Sequence, residues 1–388
     1  MAKPIYLDHN ATTPVRPEVL EAMLPFFKND FGNPNSVYFL GQQARKAVEQ
    51  ARERVAAFLG AAEPQEIVFT SCGSESDVAA ISGAAWAAFE QSGGAKRHAV
   101  STVVEHDAVR GILGVLRRQG FEVDWASVDA SCRVDPAEIS RLIKPQTAVV
   151  SVMHANNEVG SVQPISQIAA ICREKGVLFH TDAVQSAGKL PLDAGALGID
   201  LLAISGHKIN APKGVGALYI RKGTRLFPTI TGHQEKNRRG GTENVAGIVG
   251  LGTACELAQK EMKEASSRYE EWRGKLARVV AGIADSRLNG HPAQHLSNCA
   301  HFSFKGLDGH HLVVALDQHG ICVSSGPACS SGSSEPSHVL TAMGIEREWA
   351  TGSIRVSWGH GTTSADIEAL AKELEPSVSR LRQVASVK

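Results

Sequence analysis

The 388-residue sequence predicts an α/β protein, with a large domain on a mostly parallel seven-stranded sheet flanked by helices and a smaller α+β domain. Three observations carry that expectation. Between residues 66 and 221, short β-rich runs alternate with helical ones, the order that builds a parallel sheet covered by helices. The β-rich runs are mostly continuous in apolar residues, as strands buried on both faces require. Beyond residue 255 the alternation stops and a long polar helical pattern replaces it.

In chain order the strand candidates are EIVFTS (66–71), HAVSTVV (98–104), EVDWASV (122–128), TAVVSVMHA (147–155), VLFHTDA (177–183), LLAISG (201–206) and VGALYI (215–220). Helical stretches fall between them over 76–89, 108–119 and 165–175. A long polar helix is expected over 254–284, then the strands CAHFSF and GSIRVSW and a closing helix over 364–384. The division that follows is 15–255 for the large domain, with 1–14 and 256–388 forming the small one.

Composition narrows the function. Forty basic and forty acidic side chains balance, so neither sign has the excess that steers nucleic acid or a membrane surface. Seven cysteines, odd in number and scattered, are no disulfide framework and point to a reducing compartment, here the cytoplasm. The opening MAKPIYLDHN has no apolar run of signal-peptide length, and no run of about 18 apolar residues occurs anywhere. A secreted or membrane-spanning protein is not expected.

Ligands of open parallel sheets bind beyond the carboxyl ends of the strands. Five expected strand ends carry polar groups there: Ser71-Cys72-Gly73-Ser74, Glu105-His106, Asn156-Asn157-Glu158, Asp182 with Gln185, and Ser205-Gly206-His207-Lys208. Singly these read as turn residues and helix caps; together they do not. Gly73 and Ser74 open a helix, a place suited to phosphate, and Ser205 and His207 add donors. Lys208 offers an amine for a Schiff base and Asp182 a carboxylate for a pyridinium nitrogen. That set describes a pyridoxal-phosphate site. A dinucleotide site would want G-x-G-x-x-G at the first strand–helix turn, and the early glycines lack that spacing.

With these motifs in order, the sequence resembles a NifS/IscS-type cysteine desulfurase, a pyridoxal-phosphate enzyme of the fold-type-I aminotransferase group, in its long-loop branch. The resemblance runs through YLDHNATTP, FGNPNSVYFLG, FTSCGSES, VVEHDAV, MHANNEVG, FHTDAVQSAGK, SGHKINAPKGVG, GHQE…RRGGTEN, SSGPACSSGSSEPSH and GSIRVS. It implies Lys208 as the Schiff-base lysine, Asp182 at the pyridine nitrogen, and His106 stacked on the ring and moving protons. It places Asn157 and Gln185 at the ring hydroxyl and Gly73, Ser74, Ser205 and His207 at the phosphate. Thr242 would reach that phosphate from the second subunit of a homodimer. Arg355 would pair with the substrate carboxylate, with Asn157 beside it, and Cys329 would accept the sulfur. The partners implied are L-cysteine and an iron–sulfur scaffold of the NifU or IscU kind, or another sulfur acceptor. Gly326, Gly332 and seven serines between Ser324 and Ser337 surround Cys329 with the composition of a mobile loop.

Tyr38, Lys236-Asn237 and Pro327 depart from the usual family strings without touching these residues. Cys132, Cys172, Cys255 and Cys322 read as buried small hydrophobes, and Cys72 as packing. His291, His295, Cys299 and His301 have metal-like spacing, but Pro292 and SNCAHFSF read as a loop entering a strand, so no metal is expected. Two other function classes stay open: a related lyase acting on selenocysteine or an aminotransferase, and a non-catalytic sulfur or metal carrier. Cys329 argues against plain transamination, and an intact Lys208 and Asp182 against a carrier.

Overall fold

In the computed structural model, residues 4–326 and 336–386 are described. The seven expected strands all form: β2 (Ile67–Thr70), β3 (His98–Thr102), β4 (Glu122–Ala126), β5 (Thr147–Ser151), β6 (Leu178–Asp182), β7 (Leu201–Ser205) and β8 (Gly216–Ile220). Each is shorter than its apolar run, because residues past the last ladder bond turn toward the next helix. They make one sheet in the order β2-β8-β7-β6-β5-β3-β4. Only β8 is antiparallel to its neighbours, so β2, β7, β6, β5 and β3 all point their carboxyl ends to one edge.

Helices start where the sequence supplies a cap. Cys72 caps Gly73–Gln91 by accepting from the Glu75 N–H, and His106 caps Asp107–Arg118 by accepting from the Ala108 N–H. The first helix packs its alanine-rich face on β7 and β5, and Ala80, Ile81, Ala84 and Ala85 are fully buried there. Small side chains let helix and sheet approach closely.

The long helix is Val245–Ala281, nine residues earlier at its start than the polar pattern predicts. Its first turns, VAGIVGLGTAC, are apolar and glycine-rich, so they carry no helical polar face to read. They are buried instead: Ala246, Ile248, Leu251, Ala254 and Cys255 share a core with β6 and β7 residues such as Phe179 and Leu202. Tyr269, Trp272, Leu276 and Val280 belong to a second core. That core also holds the three-stranded sheet β12-β10-β9, formed by β9 (Ser286–Asn289), β10 (Cys299–Phe304) and β12 (Ser353–Ser357). The closing helix, Ser364–Ser386, covers it. Near the amino terminus, β1 (Ile5–Tyr6) pairs in parallel with β11 (Ile321–Cys322). That pairing leads the next residues, 7–13, across the active edge of the large sheet.

Candidate active site

A cavity of about 270 Å³ opens at the edge where β2, β7, β6, β5 and β3 end. Ten of the expected residues line it: Gly73, Ser74, His106, Asn157, Asp182, Gln185, Ser205, His207, Lys208 and Arg355. Thr242 does not; it is exposed, outside the lining of its own chain's cavity. Cys329 and Pro327 lie outside the described residues, as does most of the serine-rich stretch. Its two described flanks attach at the site. Ser324 exchanges backbone bonds with Arg355 (2.7 and 3.1 Å), and Ser337 donates to the Glu158 carboxylate at 2.5 Å.

Lys208 ends a one-turn helix directly after β7, and its Nζ donates to the carbonyls of Asn10 (2.5 Å) and Ala11 (2.8 Å). Those acceptors come from the amino-terminal segment, which the expected site did not include. Asn10 is a hub: it donates to the Asn157 carbonyl (3.2 Å), its own carbonyl accepts from Gln185 (2.9 Å), and its N–H donates to Ser357 Oγ (2.9 Å). The motif DHNATT was the available signal, but nothing in its spacing says which cavity it enters.

At the phosphate end, the Gly73–Gln91 helix presents its first N–H groups to the cavity. An added Cβ on Gly73 would stand 2.8 Å from Val184 Cγ2 and 3.1 Å from Ser205 Cβ. Only glycine lets the helix sit this close to the ends of β6 and β7. Ser205 is buried beside it, and His207 Nδ1 lies 3.1 Å from Thr12 Oγ1. Burial, with Lys208, Lys213 and Lys189 nearby, lowers the His207 pKa to about 4, so the ring is neutral at neutral pH. Gly73→Ala is expected to weaken pyridoxal-phosphate binding by roughly tenfold, for about 1–3 kcal/mol of overpacking. Titration of cofactor absorbance checks it.

Opposite lies a group of buried acids. Asp182 accepts the Val184 N–H (2.9 Å), and burial raises its pKa while His106, that N–H and Lys208 act the other way. Asp77, 1% exposed, lines the same cavity; its Oδ1 has no hydrogen-bond partner, and burial together with Asp182 pushes its pKa well up. Glu105 sits behind, accepting from Thr102 Oγ1 (2.7 Å) and the Met153 N–H (2.9 Å), its pKa raised by burial to about 8. Asp77 was missed because burial of a carboxyl is a tertiary fact, and Glu105 was read only as a strand-end polar group.

These observations test a pyridine ring with a phosphate. A buried carboxylate wants a cation, and a protonated ring nitrogen is one. Gln185 spends its amide N–H on Asn10 and leaves a buried Oε1 without a donor, which suits a ring hydroxyl. The helix N-terminus, Ser74 and Ser205 suit a phosphate. The donor set fits the group.

Arg355, 2% exposed, is held from β12 by Asp8 (2.8 Å) and the Asn157 carbonyl (3.0 Å), and its Nε has no hydrogen-bond partner. It is a fixed guanidinium facing a cavity that suits a carboxylate.

The four residues with metal-like spacing are used separately. His291 Nδ1 accepts backbone N–H groups, His295 meets Glu270 (3.1 Å), Cys299 donates to the Glu158 carbonyl (3.4 Å), and His301 meets Asn289 (2.9 Å). Cys132, Cys172 and Cys255 are buried as expected; Cys322 is only partly so. Cys72 is more than packing, since it caps a helix and lines the cavity. Tyr38 is exposed, and Lys236-Asn237 form a left-handed turn after Glu235, which Arg52 holds at 2.7–2.8 Å.

The comparisons agree with this geometry. The model of the aminotransferase class-V family matches residues 5–370. "Cysteine desulfurase 2" of Trichormus variabilis is 47% identical over 98% of this chain and 94% of its own length. Cysteine desulfurase NifS of Azotobacter vinelandii is 44% identical over 98% and 94%. A solved NifS-like protein, 38% identical, superposes with a TM-score of 0.90 over 97% of this chain and all of its own. A structure described as SspA in complex with cysteine is 35% identical, with a TM-score of 0.77 over 91% and 98%. The cavity at the strand ends and a match along almost the whole chain lead to one assignment: this protein belongs to the aminotransferase class-V family.

Proposed function

We propose that the protein is a pyridoxal-phosphate-dependent cysteine desulfurase. It converts L-cysteine to L-alanine, places the sulfur on Cys329 as a persulfide, and passes it to an acceptor for iron–sulfur cluster assembly, a scaffold of the NifU or IscU kind. The observation that carries this is one cavity holding Lys208, Asp182 and Arg355 together, in a chain whose full-length relatives are named cysteine desulfurases.

When bound, pyridoxal phosphate supplies an electron sink for the pair left at the substrate Cα. The rest is protein chemistry. Gly73, Ser74, Ser205 and His207 hold the phosphate, joined by Thr242 of a second subunit. Asp182 holds the ring nitrogen protonated, Gln185 and Asn157 address the ring hydroxyl, and His106 covers the ring face. Arg355 fixes the substrate carboxylate. The Lys208 amine, once released, takes the Cα proton and returns it. The Cys329 thiolate then attacks the substrate sulfur. An S–S bond forms as the Cβ–S bond breaks; that bond's electron pair stays with carbon, and protonation completes alanine.

A homodimer is part of this reading. Phe27, Phe31, Val37 and Phe39 are 63–90% exposed in the single chain, an apolar surface suited to burial against a second copy. Among the described residues no helix is long and apolar enough to cross a membrane. Free thiol chemistry suits a reducing cytoplasm, which is part of the same proposal.

The test is direct: purified protein with pyridoxal phosphate and L-cysteine should yield sulfide and alanine in equal amounts with a thiol reductant. No alanine from holoprotein would overturn the reading. Arg355→Lys, which keeps a charge for Asp8 but loses the fork, should raise KM for L-cysteine roughly 10–100-fold, from about 1.5–3 kcal/mol of charged hydrogen bonding. Steady-state kinetics checks this, with cofactor absorbance unchanged.

A further inference from the structure

Three imidazoles line the cavity, His106, His207 and His338, and the last of them was not expected. His106 stands at the end of β3, and His338 begins a short helix, His338–Ala342. Both neutral rings are the Nε2–H tautomer, but the backbone occupies a different nitrogen on each. His106 Nδ1 accepts the Ala108 N–H at 3.2 Å, so the neutral ring carries its proton on Nε2. His338 Nε2 lies 3.2 Å from the Glu105 carbonyl, which can only accept, so Nε2 carries the proton and Nδ1 keeps a lone pair. The nitrogen left over by the backbone is thus an N–H donor on His106 and a lone-pair acceptor on His338.

We propose that His338 is a further catalytic residue: its Nδ1 takes the proton that incoming L-cysteine must lose before its amine can react. The inference rests on the desulfurase reading. L-Cysteine enters with its amino group as an ammonium, which has no lone pair. One N–H bond breaks, its electron pair stays on the substrate nitrogen, and an Nδ1–H bond forms on His338. The imidazolium then returns the proton to water, which the half-buried ring still reaches. His106 in its neutral tautomer offers Nε2–H and cannot do this.

The surroundings keep His338 ready to accept. His106, Asp107 and Arg110 face it from the neighbouring helix and its cap, and Glu105 from the strand end; Glu158 binds the adjoining Ser337. Burial first, then Arg110, holds the ring below its ordinary pKa, with the Glu105 carbonyl and Asp107 acting the other way. The sign follows. The neutral ring is the active form, so base function is present above its pKa and lost as pH falls through it.

The experiment follows the absorbance change on mixing L-cysteine with wild-type and His338→Asn holoenzyme across pH. Asparagine keeps a polar atom near the Nδ1 position but is no base. Near neutral pH the variant should be slower on the order of 10²-fold, with cofactor affinity and thermal midpoint unchanged. The defect should close as pH rises past the substrate's own amine pKa, because the amine then arrives neutral. A constant defect at all pH values would mean a structural role and overturn the proposal, as would variant rates within twofold of wild type. Wild-type protein that makes no alanine would instead overturn the desulfurase reading, so the two failures are separable.

Discussion

Lys208→Ala is expected to purify without the yellow colour of the holoenzyme and to lose turnover of L-cysteine on the order of 10⁴-fold or more. Two losses combine in one atom. Nζ is the amine that would anchor the cofactor, and on the proposed reading it would also be the base at the substrate Cα. General acid–base transfer alone contributes about 10²–10⁴-fold, and covalent anchoring adds to it. The fold should survive. Nζ donates to the Asn10 and Ala11 carbonyls, while the Asn10 amide and its backbone keep their bonds to Asn157, Gln185 and Ser357. A thermal melt within a few degrees of wild type, together with colourless protein, is the expected pair of results. Yellow protein with residual turnover would remove Lys208 from its role.

Cys329→Ala should behave differently. The cavity residues remain, so the protein should stay yellow and respond spectrally to L-cysteine. Sulfide release should fall by about 10³-fold or more, because burial raises the pKa of five of the six described thiols. Burial raises Cys132, Cys172, Cys255, Cys299 and Cys322, the first-named strongly. A thiol with a raised pKa is little ionised, and the thiolate is the nucleophile. Unchanged sulfide output with cofactor bound would end the persulfide assignment. Comparing the two variants separates cofactor anchoring from sulfur transfer.

The legible part of the site was the part governed by local rules. A strand followed by a helix must turn at the sheet edge, so Ser74, His106, Asp182 and Lys208 had to gather there. Apolar runs located each strand because both faces are buried. Asn10 was illegible for the opposite reason. Its contacts to Asn157 and Lys208 span 147 and 198 residues, and no periodicity encodes a segment laid across a sheet edge. Asp77 sits one turn inside the Gly73–Gln91 helix; only packing shows that it lines the cavity. His338 follows a serine-rich stretch that drew attention to its cysteine. The start of the Val245–Ala281 helix was hidden by glycines at 247, 250 and 252, which serve close approach rather than helix propensity. At Gly252 a Cβ would meet Ala51 at 2.8–2.9 Å.

The bond between Arg355 and Asp8 joins residues 347 apart, as does that between Ser357 and Asn10. A protein leaves the ribosome amino terminus first, and domains tend to fold in that order. By the time Ile220 has emerged, the strands and Lys208 are all present. Arg355 is not, since it is made 135 residues after Ile220. A nascent chain can thus gather the strand-end groups of the cavity before Arg355 is there to join them. The cavity is therefore closed by residues made well after the sheet that carries it.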